Sequence, residues 1–298
     1  MPIQSPWGAL DLYDAHVHFF SHRFLKLLTN RDPQEVAAEL SWQPPPEDPE
    51  ALAALWINEM KRNGIQRAAL IASIPGDERS VAAAVKAHPS RFRGCFILNP
   101  LVDNASATLD QAFASGLRTI CLFPAMHRYS LSDPILEAVY LKAASQTGAA
   151  IFAHCGVLSI GIRKRLGLPS PFDMRFSNPI DLHGPALRHP ELKFIVPHFG
   201  AGYFREALML VSLCPNVYLD TSSTNSWMKY EDLNLTKVFR RALDIAGPNR
   251  LLFGTDSSFF PRGWHRAIFD QQTAALFEIG INTEDAQNIF GGNLVRFD

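Results

Sequence analysis

The chain has few cysteines and no close pairs of them. Its four, Cys95, Cys121, Cys155 and Cys214, lie far apart in 298 residues, with no CxxC spacing. That excludes a thiolate zinc site and a disulfide framework, and leaves reduced, buried thiols. Neither charge is in excess: 28 Lys and Arg stand against 29 Asp and Glu, so nothing attracts a phosphate backbone or an anionic bilayer. Nucleic acid and membrane are not expected as partners; a small-molecule substrate is, and a homo-oligomer is compatible with the composition. No apolar run approaches the roughly 18 residues of a membrane span. The opening MPIQSPWGALDLYDAHVHFF lacks the basic and apolar regions of a secretory signal. A cytoplasmic protein is expected.

What is present is a hydrophobic fraction of 47%, enough to bury a core without staples. It is distributed as short apolar runs at 10–16, 67–74, 92–98, 117–123, 149–154, 192–198, 216–220 and 250–256. Most are followed by a stretch of helical spacing, at 50–62, 80–88, 105–115, 134–146, 185–188, 204–214, 235–246, 264–279 and 283–290. Strand–helix alternation with eight strands predicts an α/β protein, a TIM-type (β/α)8 barrel formed by one domain over 1–298. A doubly wound open sheet is the alternative, but no GxGxxG follows the first run. The longest irregular piece, 19–49, contains Trp42 and three consecutive prolines and reads as a lid-like loop.

The polar residues of interest fall at the ends of these runs, where a (β/α)8 barrel carries its active site. The first run leads into Asp14-Ala15-His16-Val17-His18, and strand alternation puts Asp14, His16 and His18 on one inward face. Two imidazoles converging there can chelate a divalent ion. His154 closes the fifth run, His198 the sixth and Asp256 the eighth. An isolated HxH is as often structural as functional, whereas five such residues at equivalent strand ends are not accidental.

With DAHVH, FAHCG, PELKFIVPHFGAG, RLLFGTDSSF and NIFGGNLVRF in place, nearly the whole chain resembles the amidohydrolase superfamily. The resemblance is to its amidohydrolase-related group of mononuclear hydrolases, lactonases and nonoxidative decarboxylases. It implies His16, His18, His154 and Asp256 as ligands of the metal, with His198 as the sixth-strand histidine. In binuclear relatives a lysine or glutamate on an earlier strand bridges two ions. The matching run 116–124 ends with neither, and Arg118 lies at its wrong end, so one divalent ion is implied, zinc first and manganese second. Decarboxylases of the group often follow the fifth-strand histidine with Pro and Trp; here Cys155-Gly156 follows, as in the hydrolases.

The implied chemistry is hydrolysis of an ester, lactone or amide bond in a small carboxylated cyclic compound, with nonoxidative decarboxylation of a similar acid as the alternative. Asp256 would take the proton of the attacking water, His198 would orient that water or polarise the carbonyl, and Asp14 would orient an imidazole. Arg262 is the foremost carboxylate clamp. Arg163 belongs to a cationic cluster, 162–165, that reads first as a solvated helix face and second as a clamp. Trp42 and Phe123, with Phe19, Phe20, Trp227 and Phe259, suggest an aromatic or cyclic substrate. A metal-stabilised scaffold without catalysis ranks last, because structural zinc sites are closed and often rich in thiolate.

Overall fold

The computed structural model describes residues 2–223 and 225–297. Each of the eight apolar runs forms a strand: β1 (Leu12–Phe19), β2 (Ile65–Ala72), β3 (Phe92–Ile97), β4 (Thr119–Leu122), β5 (Ala150–Ala153), β6 (Lys193–Val196), β7 (Val217–Asp220) and β8 (Leu251–Leu252). All pair in parallel, in chain order. The chain beyond β8 closes the barrel against β1: Ala15 N–H donates to Phe253 O (2.8 Å), Asp256 N–H to His16 O (2.9 Å) and His18 N–H to Ser257 O (2.7 Å).

The strands are apolar on both faces because both faces are buried. Leu12, Leu70, Phe96, Ile120, Phe194 and Leu219 pack outward against the helices, while Ala69, Ile71, Cys95, Cys121, Phe152 and Ile195 fill the lumen. All four cysteines are buried and free. At the N-terminal end of the strands the lumen is closed by Phe297, whose ring lies 4.7 Å from Lys193 Nζ and 5.7 Å from the Arg93 guanidinium carbon. Buried Arg93 donates in turn to Thr119 Oγ1 and to Phe297 O, both at 3.0 Å. The opposite end is left for chemistry. No helix among the described residues is long and apolar enough to cross a membrane.

The segment 19–49 departs from the expected irregular loop. It holds two helices, His22–Thr29 and Pro33–Glu39. Ser21 Oγ caps the first by accepting from Phe24 N–H; Asp32 caps the second, with Pro33 in its first turn. Each is too short to stand alone in water. They are held by a core of their own, in which Phe20, Phe24, Leu25, Val36 and Leu40 meet Ile162 from the chain after β5. A two-strand hairpin, Ile3–Ser5 with Gly8–Leu10, precedes the barrel, and its turn residue Trp7 packs against Phe277 and Phe290.

Candidate metal centre

The register of β1 on its neighbour slips twice, between Leu12 and Tyr13 and, in the opposite sense, between Asp14 and Val17. Asp14 lies opposite Ala68 and Val17 opposite Leu70, so three steps on β1 match two on β2. Such a bulge re-aims side chains. Ala15 belongs to the lumen and Val17 and Phe19 to the outer core, so the bulge brings His16 and His18 inward and turns Asp14 out. The expectation that Asp14 orients an imidazole is corrected here. Its carboxylate accepts from Thr255 N–H (3.0 Å), Thr255 Oγ1 and Trp264 Nε1 (3.0 Å), and touches His16 only at the backbone N–H (3.2 Å). Asp14 therefore ties β1 to the chain after β8, and burial pushes its carboxyl up to about 7.

His16 Nε2 and His18 Nε2 lie 3.4 Å apart. Asp256 Oδ1 is 3.1 Å from the second and 3.7 Å from the first. Donors at ~2.0–2.2 Å from one tetrahedral ion stand roughly 3.3–3.5 Å from each other, so this triad has the spacing that a single divalent ion requires. His154 stands outside the triad but lines the same cavity. Its ring stacks on Phe123 (5.2 Å between centroids) and meets His198 edge-on (5.2 Å), and its Nδ1 is buried with no hydrogen-bond partner. A buried imidazole nitrogen left unpaired is costly unless a ligand satisfies it. Three of the four expected ligands thus share one point, and the fourth stands beside them with an orphaned donor atom.

The far nitrogens of the two first-strand imidazoles are already engaged. His16 Nδ1–H donates to Asp220 Oδ2 (2.7 Å), with Ser222 Oγ at 2.9 Å, and His18 Nδ1 pairs with Ser73 Oγ (2.8 Å). Held this way, each ring presents Nε2 as the ligand atom. Neither Asp220 nor Ser73 was singled out from the sequence, although both stand at the C-terminal end of a strand, as the ligands do. Close by, Gly254 leaves room for the pair: a Cβ there would lie 2.7 Å from Asp220 Oδ1 and 3.0 Å from His16 Cβ.

Burial opposes charge on every group in the cluster, and the outcome depends on the partner. For His16 the adjacent Asp220 carboxylate outweighs desolvation and raises the imidazole to about 9. His18, His154 and His198 are lowered chiefly by desolvation and further by neighbouring imidazoles. Asp256 is held far below the ordinary carboxylate range, because the His18 hydrogen bond and the surrounding imidazoles overcome its burial. His198 and Asp256 both adopt left-handed backbone, at φ 55° and 57°, a conformation that costs roughly 1 kcal/mol or more for a residue with a Cβ. In β6 Phe194 and Val196 face outward and Ile195 inward. Simple alternation would carry His198 outward too, and its left-handed turn brings it to the cavity.

The cavity over this cluster measures about 470 Å³. Trp42, Phe123 and Trp227 line it, as do Arg163, Arg165 and Arg262. Phe20 lies between His18 and Trp42 in a near-parallel stack, at 5.8 and 5.6 Å. Arg262 sits over Phe20 at 5.4 Å, and its Nε donates to Ser258 Oγ (2.7 Å). Arg163 turns two donors onto Pro169 O (3.0 and 2.6 Å). Phe19 and Phe259 instead pack against Trp56 in the outer core, so those two aromatic residues are removed from the candidate substrate contacts.

The amidohydrolase family model matches residues 13–297. The chain belongs to this family. Among curated proteins, Protein fluG of Emericella nidulans is 35% identical over 85 residues, which are 28% of this chain and 10% of that protein. This amidohydrolase thus matches only a small part of that longer relative. Among solved structures, an uncharacterised TIM-barrel protein of Bordetella bronchiseptica superposes with a TM-score of 0.68 at 20% identity, covering 97% of this chain and 98% of that one. A probable 2-pyrone-4,6-dicarboxylic acid hydrolase of Acinetobacter baumannii, with citric acid bound, gives 0.64 at 15% identity, covering 97% and 99%. At these identities the two structures establish that the amidohydrolase shares their barrel. Its donor spacing and the orphaned Nδ1 of His154 fit the divalent ion that the family implies.

Proposed function

We propose that this amidohydrolase hydrolyses an ester, lactone or amide bond in a small, carboxylated cyclic compound, using one divalent ion, zinc in preference to manganese. The observation that carries the reading is the His16–His18–Asp256 triad, with the far nitrogens of both imidazoles fixed by Asp220 and Ser73. The hydrolase-named structural neighbour supports the substrate class. His16, His18 and Asp256 would hold the ion, with His154 completing the set. When bound, such an ion supplies Lewis acidity and lowers the pKa of water from 15.7 to about 7. Support for a single ion comes from β4, which leads into Phe123 where a bridging Lys or Glu would be needed. Arg118, at its other end, spends its guanidinium on Phe113 O and Leu117 O.

The residues divide the remaining work. Asp256 is ionised and faces the cavity, so it can take a proton from the attacking water and return it to the leaving group. His198 Nδ1 lies 3.2 Å from the carbonyl and 3.0 Å from the hydroxyl of Ser222. With the ring proton on Nδ1 its other nitrogen would accept and orient the water; with the proton on that other nitrogen it would polarise the substrate's carbonyl. Arg262 keeps its two terminal nitrogens for a carboxylate, and the Phe20 and Trp42 rings exclude water. The test is turnover on a panel of carboxylated lactones and esters, with elemental analysis of the same dialysed protein. One divalent ion per chain and ring-opened acid as product are expected, with turnover nearly lost in Asp256→Asn. Released CO2 would assign the decarboxylase chemistry instead, and metal-free protein with full activity would overturn the reading.

A further inference from the structure

The cavity is unbalanced in charge. Among its described lining residues Asp256 is the only carboxylate, against Arg163, Arg165 and Arg262. Arg163 is turned back onto Pro169 O. Among the described residues Arg262 and Arg165 have no acidic partner within ion-pair distance, and each lies over one ring of the same stack. Arg262 is 5.4 Å from the centre of Phe20 and Arg165 is 5.8 Å from that of Trp42; the two rings are 5.6 Å apart and inclined by only 14°. The two guanidiniums come from different parts of the chain, one after β8 and the other after β5. Arg165 is also braced, donating to Leu40 O at the end of the lid helices. Burial lowers Arg262; the Asp256 carboxylate opposes that shift and the charge of Arg165 adds to it. Two like charges held over one apolar surface, with Asp256 as the one carboxylate among the described residues of the cavity, are unfavourable in the empty protein and become favourable when an anion meets each.

We propose that Arg165 is a second anion anchor, and that the substrate is a planar dianion whose two carboxylates are taken by Arg262 and Arg165 while its ring lies along Phe20 and Trp42. This rests on the reading that the cavity over the triad is the substrate site, and it adds to that reading the second charge and the residue that selects for it. Arg163, the member of the cationic cluster favoured from the sequence, is replaced in this role by Arg165, two residues on. The lid helices then report on the ligand, because the anchor is tied to Leu40 and Trp42.

Calorimetric titration of the isolated protein with isophthalate and with benzoate tests this without requiring turnover. Isophthalate is expected to bind about tenfold tighter or more, the order of one added charge-assisted contact. Arg165→Gln is expected to erase that preference while leaving benzoate affinity within about twofold, and Arg165→Lys to keep most of it, because the positive charge remains. Arg262→Gln is expected to weaken both acids. Equal binding of the two acids by the wild type, no binding of either, or a preference that survives Arg165→Gln would overturn the proposal. Loss in Arg165→Lys as severe as in Arg165→Gln would make Arg165 a brace for the lid and overturn it as well. A protein that prefers the dianion yet opens no ester or lactone would instead defeat the hydrolase reading and leave the second anchor standing.

Discussion

Asp220 and Gly254 show how closely the candidate ligands depend on residues behind them. Asp220→Asn keeps an oxygen for His16 Nδ1–H but removes the charge. It is expected to lower affinity for the divalent ion by about 10–100-fold, measured by competition with a chelator; unchanged affinity would release Asp220 from this role. Gly254→Ala forces a methyl group against Asp220 and His16 and is expected to cost roughly 1–3 kcal/mol, seen as a lower urea midpoint together with reduced metal content. A stable variant with normal metal content would show that the strands can yield there. At this scale the sequence was legible where a ligand type closes an apolar run, as with His154 and Asp256. Asp220 closes a run in the same way, but a carboxylate at a strand end reads equally well as a turn residue. Asp14 was misplaced because alternation presumes an unbroken pleat, and a bulge leaves no mark in residue types. Which cation of the 162–165 turn meets a substrate is not legible in residue types, because Arg163 and Arg165 both donate to backbone carbonyls and differ in which part of the chain they brace.

Between elements, the start of the lid is tied to the chain after β2 by one buried carboxylate. Asp77 accepts from Ser21 Oγ (2.9 and 2.8 Å) and from Ser80 Oγ (2.6 Å), and burial raises it to about 6 from an ordinary 3.8. The folded protein therefore keeps this proton over a range where the unfolded chain has lost it. The group costs nothing below pH 3.8 and progressively destabilises the fold as pH rises to about 6, by an amount on the order of 3 kcal/mol when fully ionised. Asp77→Asn, which keeps an acceptor for the hydroxyl groups, is expected to gain stability over the wild type between pH 4 and 6 and to hold that gain above. Thermal melts of both proteins across this range check it, and parallel curves would remove Asp77 from the balance. The strands and the longer helices were legible because period-2 and period-3.6 patterns extend over enough residues to stand out. The helices at 22–29 and 33–39 were not, because eight and seven residues carry barely two turns of pattern. Their caps, Ser21 and Asp32-Pro33, were the signal available.

Over the whole molecule the two ends of the barrel do different work. The floor is a packing device, built from Phe297 with Arg93 and Lys193 around it, and the mouth holds the candidate metal centre. Phe297→Ala is expected to cost about 3–5 kcal/mol in denaturant unfolding while leaving the metal content of the folded protein unchanged, because the floor and the triad lie at opposite ends of the strands. Loss of metal in the folded variant would show the two ends to be coupled. The mouth, in turn, depends on counting. A pleated strand works in twos, and β1 takes an odd step between Asp14 and Val17, after a slip of the opposite sense between Leu12 and Tyr13. Loss of one codon there would make the count even. Every residue on one side of the deletion would change face, so that either both imidazoles leave the lumen or Tyr13 and Ala15 leave it and Leu12 enters. This strand can therefore accept almost no change of length, and a family built on it would be expected to keep the number of its residues as strictly as it keeps His16 and His18 themselves.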